Sequence, residues 1–284
     1  MTKQPKNQKI TRPLTPVRLA TEKDVQGLTD LEPGNIRARA QGLALNALSA
    51  RSTTERLDQA LKAVVLDPRC TDALVILADV FDDIDEYVEA MDLIVMRAAE
   101  DLGPELFERE RGHFWELVET RPYMRARLHL ALALDEGEMT DEAITEFEGI
   151  LDLDPNDNMG ARFGLLGLYF EAGRLDMASS LLTRYADDAS AQFAWMRVLL
   201  RILQGDTAAA EAELQKARET NKHVEGYLAD RKGLPEKLPG TYAVGDVNEA
   251  AVCAFEIQDA WEAHPDAVRW LKERGVSREK KGKH

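Results

Sequence analysis

The apolar residues of the chain recur at a spacing that predicts pairs of amphipathic helices, one pair about every 34 residues. Residues 71–104 show the pattern most clearly, with apolar positions at Leu74, Leu77, Ala78, Phe81, Ala90 and Ile94. The preceding residues, 37–70, repeat it with Leu43, Ala44, Ala60 and Ala63. Small residues let two antiparallel helices approach closely, and large residues at helical spacing fill the space between successive pairs. The pattern therefore predicts stacked helical hairpins.

Three further segments follow in approximate step, at residues 124–157, 159–190 and 191–222. Pro68 and Pro155 end the second helices of their pairs, because proline cannot continue a helix. Residues 104–119 interrupt the register and predict one extra helix. A stretch rich in glycine and proline predicts a loop up to Asp246, which then caps a helix over 247–263. Pro265 opens a last short helix that Gly275 ends.

The hairpin pattern resembles the tetratricopeptide repeat family, whose motif W-x2-L-G-x2-Y is matched in part at Leu74, Leu77, Ala78 and Phe81. The resemblance covers about residues 37–222 and implies an all-α solenoid of about five repeats. Residues 113–270, which include HFWELVETRPYMRARLHLALAL, look like an uncharacterised group of bacterial tetratricopeptide proteins.

Residues 221–261, beginning NKHVEGYLADRKGLPEKLPG, are also similar to the C-terminal region of the eukaryotic suppressor-of-tumorigenicity family. That family is membrane-associated in animals, but this chain has no comparable apolar span, so its location does not carry over. Neither resemblance supplies a catalytic residue. Both imply a non-enzymatic scaffold.

These patterns divide the chain into four parts. We expect a basic tail and lead-in over 1–33, the repeat solenoid over 34–224, a loop with capping helices over 225–274, and a second basic tail over 275–284. The first 18 residues contain five basic residues and no acidic one, whereas the whole chain carries a formal charge of −15. The tails are expected to be disordered, and they either keep the protein soluble or contact the acidic body or an anionic partner.

The acidic balance argues against a nucleic-acid partner, because the phosphate backbone binds basic surfaces. No apolar run approaches the roughly 18 residues that a membrane span needs. The two cysteines, Cys70 and Cys253, lie far apart and show no redox or metal-binding spacing. These features predict a cytoplasmic protein without a membrane segment.

The first helix of each repeat lines the concave side of such a solenoid, which predicts a groove for a partner. On these first helices and the turns after them, the residues that do not belong to the face packed between repeats are expected to face the groove. They are Asp72, Val75, Asp79, Asp82, Phe163, Phe170, Gln192, Trp195 and Leu199. The groove would be acidic at one end and aromatic at the other, and would suit a peptide with basic and apolar residues. In the alternative interpretation, the aromatic residues belong to the core between repeats.

One cationic cluster interrupts the acidic body. Arg121, Arg125 and Arg127 could bind an anion, since guanidinium groups suit carboxylate and phosphate. The alternative is that these arginines form internal salt bridges with the glutamates of the preceding helix.

The leading functional hypothesis is a non-enzymatic scaffold that binds a protein or peptide, with no cofactor. Residues 233–240 lack the G-K-[ST] ending of a phosphate loop. A first alternative is a self-assembling structural or regulatory protein that docks through the aromatic cap near Trp261 and Trp270. A more distant alternative is a metal-dependent hydrolase that uses the acid-rich turn at residues 79–86.

Overall fold

The protein is all-helical over residues 35–275, which are the residues that the computed structural model describes. Neither predicted basic tail can be assessed, because residues 1–34 and 276–284 lie outside the described range. The chain divides after Met159 into two compact units. The fold class predicted from the apolar pattern, all-α, is confirmed over the described residues.

The first unit contains seven helices among its described residues, and most of them are arranged in consecutive pairs. They are α1 (Ile36–Leu48), α2 (Thr53–Leu66), α3 (Thr71–Ala78), α4 (Ile84–Leu102), α5 (Pro104–Arg109), α6 (Arg121–Glu136) and α7 (Thr140–Leu153). A short 3-10 helix, Val118–Thr120, precedes α6. Helix α3 contacts α1 and α2 on one side and α4 and α6 on the other.

Alanines set the close approach of α1 and α2. Ala40, Ala44 and Ala47 of α1 pack with Ala60 and Ala63 of α2, and all five are fully buried. Because their side chains are single methyl groups, the two helix backbones can lie near each other without leaving voids. The local sequence also defines the helix starts, since the side chains of Asn35 and Ser52 accept backbone N–H bonds at the beginnings of α1 and α2.

Helix α3 is shorter than the repeat pattern predicts. It ends at Ala78, so Phe81 lies outside the helix and 42% of it is exposed. The side chain of Asp83 accepts hydrogen bonds from the backbone N–H groups of Asp85 and Glu86 and thereby starts α4 at Ile84. Aspartate is a strong N-cap residue, and here its capping favours a turn over a longer helix.

The extra helix expected over residues 104–119 is wrong for most of that range. Only Pro104–Arg109 is α-helical, and Gly112 has a φ of 86°, in the left-handed region that glycine tolerates and helices exclude. Beyond this turn, the backbone N–H of Phe114 donates to the carbonyl of Leu153 at 3.1 Å. The segment therefore folds back on the end of α7.

The second unit contains seven further helices among its described residues. They are α8 (Ala161–Glu171), α9 (Leu175–Arg184), α10 (Ala191–Leu203), α11 (Thr207–Asn221), α12 (Val224–Leu228), α13 (Val247–Glu262) and α14 (Pro265–Gly275). The side chain of Asp246 caps α13, as the sequence predicts. No described helix is long and apolar enough to cross a membrane.

Helix α13 lies on α8 and α10, the first helices of the two hairpins in this unit. The sequence predicted that this segment caps the repeats. Helix α13 covers the helices that the repeat pattern assigns to a ligand groove, and its buried residues include Cys253, Ile257 and Trp261. The C-terminal segment is thus part of the core of its unit.

Candidate functional site

The predicted groove residues in and after α3 divide into two groups: Asp72 and Val75 lie within the helix, and the exposed Asp79 and Asp82 lie in the turn that follows it. Asp72 and Val75 are buried, with 4% and 6% of their surface exposed. The carboxylate of Asp72 accepts two hydrogen bonds from the guanidinium of Arg125, at 2.9 Å from Nε and 2.6 Å from Nη2. The side-chain amide of Gln41 donates to the same carboxylate. Asp72 therefore joins α1, α3 and α6 inside the first unit and does not face a ligand.

A second ion pair lies next to this one. Asp79 Oδ2 accepts a hydrogen bond from Arg56 Nη2 at 2.6 Å, and the hydroxyl of Tyr87 is near enough to help lower the pKa of Asp79. The Tyr87 hydroxyl lies 3.5 Å from His129 Nδ1. We call Gln41, Arg56, Asp72, Asp79, Tyr87, Arg125 and His129 the inner polar network.

Burial controls the protonation of this network. It lowers the pKa of His129 to about 4, because the ring loses the water that would solvate its charged form and the Asp72 carboxylate only partly offsets this. Burial also raises the pKa of Asp79 against the opposing effect of Arg56, and raises that of Tyr87. At neutral pH the imidazole of His129 is therefore uncharged. With 8% of its surface exposed, it is shielded from any substrate.

The three arginines proposed as an anion site are held by groups of the protein itself. Arg121 Nε donates to the carbonyl of Trp115 at 2.9 Å, Arg125 pairs with Asp72, and Arg127 Nε pairs with Glu146 at 2.6 Å. The internal interpretation thus fits the geometry better than an open anion site. The acidic partners predicted for these arginines were wrong, however. Asp72 and Glu146 pair with Arg125 and Arg127 in place of the glutamates that precede α6.

The turn between α3 and α4 contains both exposed apolar and exposed acidic side chains. Val80 is 58% and Phe81 42% exposed, and carboxylates surround them. We call residues 79–86 the acidic turn; its exposed acidic residues beyond Asp79 are Asp82, Asp83, Asp85 and Glu86. Asp82, Asp85 and Glu86 form no ion pair with any other described residue. The acidic turn therefore presents an apolar spot beside the carboxylates of Asp82, Asp85 and Glu86, which no ion pair with another described residue neutralises.

The acidic turn does not assemble a metal site on its own. Over residues 35–275, no group of three or more histidine, cysteine, aspartate or glutamate side chains is arranged to hold a metal ion. Asp83 uses its carboxylate to cap α4, and Asp79 is bound to Arg56.

The predicted aromatic end of the groove lies in the core of the second unit. Phe170, Trp195 and Leu199 are completely buried, and Trp195 Nε1 donates to the carbonyl of Asn221 at 3.2 Å. For these residues the structure favours the core alternative. A partner could contact them only if the unit opened.

The remaining two predicted residues of this end also have partners within the unit. Phe163 is half-buried and packs against Phe193 with the two rings perpendicular and their centroids 5.6 Å apart, and the guanidinium of Arg162 lies over the Phe163 ring, 4.2 Å from its centre. The side-chain amide of Gln192 donates to Glu256 of α13. Helix α13 thus occupies the position at which the sequence predicted a ligand.

No protein-family model matches this chain, and no curated protein matches it either. The resemblances noted in the sequence therefore remain predictions.

The inner polar network was not predicted, although the sequence of α6 contains a signal for it. Arg125 and His129 lie four residues apart in α6, on one face of a helix whose other residues are mostly apolar. Two basic residues on an apolar face require buried partners. The sequence could not identify these as Asp72 and Tyr87, which are 53 and 42 residues away.

Proposed function

We propose that both units are built from tetratricopeptide-type hairpins and that the protein is a non-enzymatic cytoplasmic scaffold. In support of the repeat assignment, helix pairs recur where the 34-residue pattern predicts them. In the first unit the first helices of successive pairs also contact one another, α1 with α3 and α3 with α6. The free, buried thiols of Cys70 and Cys253 suit a reducing compartment.

The proposed partner is a protein or peptide segment with basic and apolar residues, and its proposed binding surface is the acidic turn. The observation that carries this proposal is the exposure of Val80 and Phe81 beside Asp82, Asp85 and Glu86. An exposed aromatic ring offers apolar area to a partner at little conformational cost. The surrounding carboxylates would orient a basic segment and speed its approach.

The test is a selection of peptides from a random displayed library, followed by affinity measurements on the peptides selected. We expect selected sequences to combine lysine or arginine with apolar residues. Phe81→Ala and Asp82→Lys should each weaken their binding by about tenfold, consistent with the loss of 1–2 kcal/mol from an anchor contact. The matched controls are Val65→Ala and Asp92→Lys, which alter an exposed apolar and an exposed acidic residue of the same unit.

Two results would contradict the proposal. One is a set of selected peptides without basic residues. The other is equal binding by the Phe81 and Asp82 variants and their controls. Binding should also weaken as salt is raised, because the exposed charges are screened.

A second candidate function is self-association, favoured by apolar residues exposed on two helices of the first unit. Leu61 and Val65 lie one turn apart on α2, and Leu93 and Met96 are exposed on α4. The aromatic cap predicted for this role is less suitable, since Trp261 is buried and Trp270 packs against Arg274. Light scattering over a range of concentrations distinguishes the two functions, because self-association requires an oligomer of the purified protein alone.

A further inference from the structure

The second unit contains a pocket of about 670 Å³ between α12, the loop that follows it, α13 and α14. We call it the C-terminal pocket. Its volume falls within the range of about 300–1,000 Å³ that is usual for small-molecule sites. Four elements from two separate parts of the sequence form its wall.

The pocket has an apolar wall on one side. Leu228, Ala254 and Trp261 line it and are buried, while Val268 of α14 lines it and is half-buried. The apolar part of an aliphatic or aromatic ligand would be removed from water against this wall, which favours its binding.

Charged side chains of both signs also line the pocket, the acidic ones being Asp230 and Glu262, and the basic ones differ in how far they are neutralised. Lys272 Nζ lies 3.2 Å from the Asp230 carboxylate, and Arg269 Nη1 lies 2.7 Å from Asp266. Lys232, in contrast, forms no ion pair with any described carboxylate, and its ammonium lies 4.5 Å from the centre of the Tyr227 ring. A cation held by a ring can still pair with an anion on a ligand.

Trp261 adds a hydrogen-bond donor that the protein leaves unused. Its Nε1–H is buried and has no acceptor within the described residues. A buried donor without an acceptor is unfavourable, but this one has almost no exposed surface and so is not offered to a ligand.

We propose that the C-terminal pocket binds a small organic carboxylate with an apolar body. The apolar body lies against Leu228, Ala254 and Trp261, and the carboxylate pairs with Lys232. This inference goes beyond the proposed scaffold function, because the acidic turn belongs to the other unit and shares no residue with the pocket. Ligand binding in the C-terminal pocket and partner binding at the acidic turn can therefore be disproved independently of each other.

The test is calorimetric titration of the full-length protein with decanoate, with decylamine as a probe of equal chain length and opposite charge. We expect decanoate to bind at one site, at least tenfold more tightly than decylamine. Lys232→Gln should weaken decanoate binding about fivefold and leave decylamine binding unchanged. The matched control is Lys237→Gln, because Lys237 is also an exposed lysine of this loop but does not line the pocket.

A third variant localises the site. Val268→Phe narrows the pocket from α14 and should weaken both probes, while circular dichroism checks that the helices are retained. The proposal is overturned if wild type does not bind decanoate, or if decylamine binds as tightly. It is also overturned if Lys232→Gln behaves like Lys237→Gln, or if Val268→Phe binds decanoate like wild type.

Discussion

Removing the carboxylate of Asp72 while Arg125 stays in place should open the first unit. Both side chains are 4% exposed, and two hydrogen bonds join them. In Asp72→Ala the guanidinium of Arg125 would remain buried opposite a methyl group, without the carboxylate that now compensates its charge. A loss of one partner from a buried ion pair costs about 3–5 kcal/mol. Because about 1.4 kcal/mol corresponds to a factor of ten, the opened form should become more populated by about two to three and a half orders of magnitude.

The two buried cysteines provide an assay for each unit. Cys70 reports on the first unit and is 5% exposed, and burial raises its pKa to about 12, so its thiol reacts with a labelling reagent only after the unit opens. Cys253 reports on the second unit, where it is 1% exposed and burial raises its pKa well above the usual value. We expect Asp72→Ala to speed the labelling of Cys70 at least a hundredfold and to leave that of Cys253 unchanged. Each rate is to be compared with the same thiol in the unfolded chain, because Asp72 also affects the Cys70 thiolate directly.

The control is Asp58→Ala, which removes an exposed ion pair with Lys62, where both side chains are more than half exposed. Such a pair is worth well under 1 kcal/mol, so labelling of Cys70 should change less than tenfold. The reasoning is refuted if Asp72→Ala behaves like this control. It is also refuted if the double variant Asp72→Leu, Arg125→Leu is as unstable as the single variant, because the loss would then come from packing and not from an uncompensated charge.

Two further predictions follow from buried side chains. The pKa of His129 is about 4 in the folded protein, against 6.5 for an unperturbed histidine such as that of the unfolded chain. As the pH falls, the unfolded chain therefore binds a proton first, and the first unit should lose about 3 kcal/mol of stability between pH 6.5 and 4. His129→Gln should remove this loss, whereas the control His113→Gln, at an exposed position, should retain it. The measurement is hydrogen exchange of the α6 amides, corrected for the pH dependence of exchange in an unprotected amide. Trp195→Ala should destabilise the second unit by about 3–5 kcal/mol and should speed the labelling of Cys253 but not that of Cys70. Val244→Ala, at an 86% exposed position, should change neither labelling rate. Protection of Cys253 in Trp195→Ala would show that this residue is not core.

The sequence predicted the helices best where the cause is local. Asp246 and Pro265 were identified as starts of α13 and α14, because capping and the proline ring act within one turn. The alanines of α1 and α2 were likewise recognised as a close-packing face. Where two local preferences competed, the prediction failed: Asp83 ends the turn after α3, and Gly112 interrupts the helix expected over 104–119.

The site was harder to predict, because the repeat pattern says which helix face points inward but not what covers that face. Trp195 and Phe170 satisfy the pattern for a ligand groove, yet α13 lies on the helices that carry them. Asp72 was predicted to give the groove its charge, but Arg125 neutralises it inside the unit. Asp82 was also predicted for the acidic end of the groove, and its carboxylate is exposed and forms no ion pair with another described residue.

The amino-acid sequence alone determined that this chain forms paired helices and where some of them begin or end, because helix periodicity, capping and proline geometry depend on neighbours a few residues away. Only the tertiary structure decided which charges are buried and which faces are filled. Asp72 meets Arg125 across 53 residues, and Gln192 meets Glu256 across 64. Such encounters depend on how helices pack in space, and the same local pattern permits several packings.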